Sequence, residues 1–387
     1  MKIYNICLNK KSGFYKYISV ILILSILSYF LIFSKSNYEL MSDIVDIFIT
    51  IVMPSLFPFM LFSNILIYSN YFNLLSDTIL NKIISNFFGT TNYGSNAITF
   101  GFLFGYPNGA RYVNELLNNN KIKFTEAEYL LYFINNSSPA FILSSIGIGI
   151  FNNIKIGVIL LVSHIISSII IGKILSIKNR LSINYINKEK NIDFEYNTSI
   201  SFETITKSIT KTLYTMCMIF GFMTIFILLH SFVFKILENL LILDKHISFF
   251  TLAILELTSG IKKISSFAFD FKLLITLISF FLGFSSLSII FQIFSCVYKN
   301  NFKLVNIIKG KFFHGILSGI ITYILLSIPN IYEHINIPES VSYNLELSNQ
   351  ISINNTSVII MFLIVNIVLF YLLTKKKRLK TVSLKGG

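Results

Sequence analysis

Four short polar runs sit inside otherwise apolar stretches, and they carry the residue types that could recognise a small charged molecule. The first is Gly105-Tyr106-Pro107-Asn108-Gly109-Ala110-Arg111. Its glycines and proline end one half-helix, and a second begins near Asn108, whose side chain is placed to cap it. A half-helix start presents unpaired backbone N–H groups and the positive end of a dipole, which suits an anion. Arg111 adds a planar, permanently charged fork matched to carboxylate or phosphate. The plainer alternative is a cytoplasmic turn with a solvated arginine. The second run, Asn135-Asn136-Ser137-Ser138-Pro139, interrupts an apolar span, where hydrocarbon offers polar groups no partner. Pro139 opens the helix further. Helix–helix adhesion through Asn and Ser is the alternative.

The third run is Glu256-Leu257-Thr258-Ser259-Gly260. An acid within an apolar run marks a functional position by default. Glu256 is suited to carry a coupling proton, bind a cation, or pair with Lys262 or Arg111; a structural ion pair near the interface is the bland reading. The fourth is Gly283-Phe284-Ser285-Ser286-Leu287-Ser288 followed by Gln292, and its small residues would also permit close helix packing. The candidate substrate-binding set is therefore Gly105, Tyr106, Asn108, Arg111, Asn135, Asn136, Ser137, Ser138, Glu256, Thr258, Ser259, Ser285, Ser286 and Gln292. No catalytic residue, metal site or cofactor is expected. The chain has no HExxH, P-loop, Ser/His/Asp order or helix-opening GxGxxG, so an enzyme is not expected. His164, His230 and His314 are scattered in sequence and read as core histidines. Cys7, Cys217 and Cys296 lack CxxC spacing and make neither a disulfide framework nor a zinc site.

The elements that must position these runs follow from composition. Of 387 residues, 54% are hydrophobic and only 13% charged, with mean hydropathy +0.70. A soluble domain carries about 25% charged residues. Apolar blocks of bilayer length recur, so the fold class is an all-α polytopic membrane protein. The plain spans are Tyr17–Phe33, Ile44–Ile67, Glu128–Phe151, Ile156–Leu175, Thr212–Phe234, Phe271–Phe294, Phe312–Ile328 and Ser357–Leu373. Two shorter stretches, Ala97–Ala110 and Ser248–Phe267, are broken and read as re-entrant. That makes about eight transmembrane helices plus two re-entrant or broken segments. The net charge of +14 lies between the blocks and at both ends, as the positive-inside rule requires, so no nucleic-acid partner is expected. With both termini cytoplasmic, the basic residues left outside are Lys35, Lys155, Lys235, Lys245, Lys262, Lys263 and Lys272. Lys299 to Lys311 count as cytoplasmic. The first span is an uncleaved helix, since no small-x-small site follows it.

The two halves share one order: a span, a broken short segment, a broken span, a plain span. Gly105 and Ser259 lie 154 residues apart, and Ser138 and Ser286 lie 148 apart. Three crossings per unit make the repeat inverted, and discontinuous helices in matching positions point to a transporter-type midplane site. The expected divisions are an N-terminal helix and outer loop (1–43), a first repeat (44–176) and a charged cytoplasmic linker (177–210). A second repeat (211–328) follows, then an outer loop, last helix and basic cytoplasmic tail (329–387).

Phe102–Arg111 with its "GYPNGA", followed by Asn135–Ile142 with its "NNSSP", resembles the YlbJ-type sporulation integral membrane protein family. Leu255–Gly260 and Gly283–Gln292 resemble that family's second-half motifs, and the likeness covers about residues 40 to 330. At Ser285 the chain departs from the family's glycine-rich wording. The resemblance implies a Gate or nucleoside-recognition module, an endospore-forming source, and residence in the mother-cell-derived outer forespore membrane. It further implies transport of dipicolinic acid during spore formation. The implied partners are membrane lipid, dipicolinate with or without calcium, and a second copy or other sporulation membrane proteins. A nucleoside carrier of the same fold and a non-transporting scaffold for spore-envelope assembly are the alternatives.

Overall fold

Long runs of Ile, Leu, Phe and Val leave the backbone no polar partner but itself, so the chain winds into helices throughout. The computed structural model describes residues 20–21, 23–71, 78–183, 199–240, 245–267, 269–329 and 331. The protein is an all-α polytopic membrane protein. Among the described residues, five helical segments are long and apolar enough to cross a bilayer. They are Ser34–Tyr68, Ile154–Ile177, Phe202–Lys235, Phe271–Asn300 and Leu304–Leu326.

In chain order the helices are α1 (Ile23–Ile32), α2 (Ser34–Tyr68), α3 (Ile79–Phe88), α4 (Asn92–Phe104), α5 (Asn108–Asn118) and α6 (Phe124–Leu131). Then come the π-wound α7 (Phe141–Ile150), α8 (Ile154–Ile183), α9 (Phe202–Leu240), α10 (Lys245–Leu255) and α11 (Leu257–Ile264). The series ends with α12 (Phe271–Phe284), α13 (Ser286–Val297) and α14 (Leu304–Leu326). A π turn at Phe48–Val52 loosens α2 just ahead of Pro54, which supplies no N–H and crowds the carbonyl four residues back.

Several expected spans are subdivided. Glu128–Phe151 is not one helix: α6 ends at Leu131, residues 135–138 belong to no helix, and α7 follows Pro139. Phe271–Phe294 is broken at Ser285, and both short stretches are helix pairs, α4/α5 and α10/α11. The segment before Val20, Ser357–Leu373 and most of the linker and outer loop lie outside the described residues.

Each half holds a long helix, a broken helix pair, an interrupted span and a plain helix, with α3 added in the first. α2 packs against α9, α8 against α14, α7 against α8, and α12 against α14. Two contacts join residues about 150 positions apart, 148 and 150. Asn64 Nδ2 donates to Thr212 Oγ1 at 2.9 Å across 148 residues. The His164 and His314 rings lie 4.4 Å apart across 150 residues. α12 and α14 approach closely because both carry glycine: a Cβ on Gly283 would meet Gly315 Cα at 2.8 Å. Ser279 and Ser318 hydroxyls bond across the same seam at 2.8 Å, and Thr322 donates to Ser279 at 2.7 Å.

Candidate functional site

The first two breaks are packed backbone to backbone. α4 stops at Gly105, whose φ of +66° suits glycine, and a cis Tyr106–Pro107 bond leads into α5. Tyr106 N donates to the Asn136 carbonyl at 2.8 Å. A Cβ on Gly105 would meet Ser138 N at 2.6 Å, so a larger residue would part the two breaks. Asn108 is the first residue of α5 and does not cap it; the capping position is Pro107. The expected cap is thus corrected. Its side-chain oxygen instead accepts from Arg111 Nη1 at 3.4 Å.

Arg111 is held by three elements. Besides Asn108, Nη1 donates to Thr215 Oγ1 of α9 at 3.2 Å, and Nη2 to Asn64 Oδ1 of α2 at 3.3 Å. All three acceptors are neutral, so the guanidinium keeps its charge for a further partner. It lines a cavity of about 810 Å3 between α5, α9 and α13. Asn114 and Glu115 of α5, Lys211 of α9, and Gln292 and Ser295 of α13 also face this space, which starts beside Pro107. Its volume falls within the range of small-molecule sites, about 300–1,000 Å3.

The second break is buried throughout. Asn135 Nδ2 donates to the Leu131 carbonyl at 3.2 Å, and Asn136 Nδ2 to Ser168 Oγ of α8 at 2.9 Å. Ser137 N donates to His164 Nε2 at 3.0 Å, and Ser138 Oγ accepts from Phe141 N at 3.2 Å, restarting the helix. Lys311 of α14 donates to the Asn135 carbonyl.

In the third break, Glu256 is 2% exposed and caps α11, with its two oxygens accepting from Thr258 N at 3.0 Å and Ser259 N at 2.7 Å. The carboxylate is thus spent on the helix start rather than on Lys262 or Arg111. The buried Tyr106 phenol lies near both Ser137 and Glu256, which brings three breaks together. In the fourth, Ser285 takes the left-handed conformation (φ +67°) and Ser286 follows at φ +48°. Ser285 Oγ donates to the Leu282 carbonyl at 3.2 Å, and Ser286 and Ser288 hydroxyls bond at 3.2 Å. Ser285 and Ser286 therefore satisfy themselves locally, while Gln292, two turns on, reaches the cavity.

Buried polar atoms without a hydrogen-bond partner are rare in native proteins. Here Asn108 Nδ2, Asn135 Oδ1, Asn136 Oδ1 and Gln292 Oε1 are all in that state, and each belongs to a break or its flank. Each such atom costs about 1–3 kcal/mol until something pairs with it.

The protein of Bacillus subtilis (strain 168) named sporulation integral membrane protein YlbJ is 23% identical over 323 residues, covering 75% of this chain and 78% of that protein. The chain is thus similar to a sporulation integral membrane protein over most of its length. No family model matches it, and no solved structure matches.

Several residues that flank the site are not marked by the sequence alone. Asn64, Thr212 and Thr215 read as ordinary span residues, yet they carry Arg111 and the contact between halves. Lys311, expected on the cytoplasmic side, is 1% exposed inside α14. That corrects the start of the seventh span, because α14 begins at Leu304. His164 and His314, scattered in sequence, meet ring to ring with their planes tilted by 45°. Glu126 is a second buried carboxylate: Oε1 accepts from Thr91 N and Oγ1 at 2.8 and 3.0 Å where α4 starts. Burial pushes its carboxyl above the usual range, and the Thr91 N–H holds part of that rise back. The signal for Glu126 was an acid just ahead of an apolar run.

Proposed function

We propose that this sporulation integral membrane protein moves a small organic anion, dipicolinate, across the outer forespore membrane. The observation that carries the reading is the 810 Å3 cavity, lined by Arg111, Lys211 and Gln292 and bounded by the first break. Dipicolinate is a flat dianion. Arg111 and Lys211 answer its carboxylates, and amide groups of Asn and Gln answer its remaining polar edge. Of the candidate residues, Arg111 and Gln292 line this cavity and are assigned to binding, with no catalytic step. Calcium enters with the anion or not at all.

In this reading residues 44–176 and 211–328 are inverted repeats, the linker 177–210 and both termini are cytoplasmic, and one repeat rocks against the other around the breaks. The similar order of elements and the contacts across 148 and 150 residues support it. Titration of the purified protein with dipicolinate, and separately with uridine, tests the substrate. Saturable dipicolinate binding that uridine does not displace is expected. Uridine binding alone would assign the same fold to nucleosides, and binding of neither by folded protein would favour a scaffold in spore-envelope assembly.

A further inference from the structure

Lys311 sits two turns into α14, and its ammonium nitrogen donates to the Asn135 carbonyl in the second break. On the next turn, the His314 ring lies against that of His164 of α8 where the two halves meet. Hydrogen bonds fix both imidazoles. His164 Nε2 accepts from the Ser137 N–H at 3.0 Å, so in this ring the hydrogen is on Nδ1. His314 Nε2 lies 2.9 Å from the His164 carbonyl, which only accepts, so here the hydrogen is on Nε2. The His164 ring is neutral in this arrangement, and protonating its Nε2 would break its bond to the second break.

Lys311 has no such settlement. An ammonium offers three donors, and the acceptor it meets among the described residues is one carbonyl. The titratable groups that face it are His314 from its own helix and His164 from α8. α12 brings the Ser279 hydroxyl to this seam. Cys296 of α13 faces Arg111 and Lys211 instead. Glu128 of α6 meets α14 five residues earlier, where it accepts from Asn306 Nδ2 at 2.7 Å. A buried ammonium without a counter-charge costs several kcal/mol, whereas a neutral amine escapes that cost.

We propose that Lys311 is a proton-binding site: a neutral amine while the anion site is empty, and an ammonium when an anion is bound, so that proton and anion bind together. The Nζ lone pair takes one proton from water, and the added positive charge offsets one carboxylate of the ligand. The Asn135 and Asn136 side-chain oxygens are buried in the same break without a partner. The coupling rests on the transport reading above, but the protonation state does not.

The test therefore has two arms on the full chain in lipid. In the first, 15N-lysine spectra identify Lys311 as the side-chain signal lost in both Lys311→Met and Lys311→Arg. It should read as an amine without ligand at about pH 8 and become an ammonium on adding dipicolinate. An ammonium in both states overturns the proposal. In the second, vesicles hold a pH dye and face an inward dipicolinate gradient. Wild type should acidify the interior, whereas Lys311→Arg, which cannot release a proton, should bind dipicolinate and carry no protons. Dipicolinate entry without acidification overturns the coupling and leaves the transport reading standing. If no dipicolinate enters, the transport reading fails, and the amine signal without ligand alone upholds or overturns the proton site.

Discussion

Arg111 is supported by side chains from three helices and meets no carboxylate in those bonds, so its charge is oriented but not neutralised. Removing a positioned charge from a partly buried anion contact costs about 2–5 kcal/mol. Arg111→Ala should therefore weaken dipicolinate binding by roughly 30-fold or more, with Arg111→Lys between the two; calorimetric titration reads both. Ser285 gives a prediction of opposite sign for stability. Its left-handed backbone costs an L-residue about 1–2 kcal/mol that glycine does not incur. Ser285→Gly should raise the melting temperature in detergent, and this is also the position where the family's glycine-rich wording is interrupted. At this scale the polar breaks were legible because hydrocarbon offers no partner to Asn, Ser or Glu. Lys311 was not, since a lysine beside an apolar block ordinarily snorkels out to the interface. Nor was the His164–His314 pair, because 150 residues separate its members.

Among the elements, the breaks do different work. The first is held open by a glycine that only its neighbour's backbone approaches, while the third is stabilised by the Glu256 carboxylate on two N–H groups. Seams between unbroken helices depend on small residues. Gly315→Leu should separate α12 from α14, since a Cβ alone would lie 2.8 Å from the Phe280 carbonyl. A loss of about 3 kcal/mol or more is expected for such overpacking against backbone, read as a lowered melting temperature and poorer recovery from membranes. Helix existence was plain from apolar length. The π winding of α7 was not, because it reflects how Gly147 nests against Gly157, a contact that no local periodicity announces. The division of Glu128–Phe151 was foreshadowed by five polar or helix-breaking residues in a row.

For the molecule as a whole, the inverted-repeat reading makes the two short helix pairs enter from opposite faces of the membrane. Asn119, exposed just beyond α5, and Lys263, exposed near the end of α11, report the two faces. In a background without the native cysteines, Asn119→Cys should react with an impermeant thiol reagent from the cytoplasmic side alone, and Lys263→Cys from the opposite side alone. Labelling of both from one side would contradict the inversion. The substrate claim is tested most directly by uptake of labelled dipicolinate into vesicles holding the purified protein, beside Arg111→Ala and protein-free vesicles. The account predicts saturable uptake by the wild-type chain that Arg111→Ala largely abolishes. Uptake no greater than in protein-free vesicles, from protein shown to be folded, would contradict it.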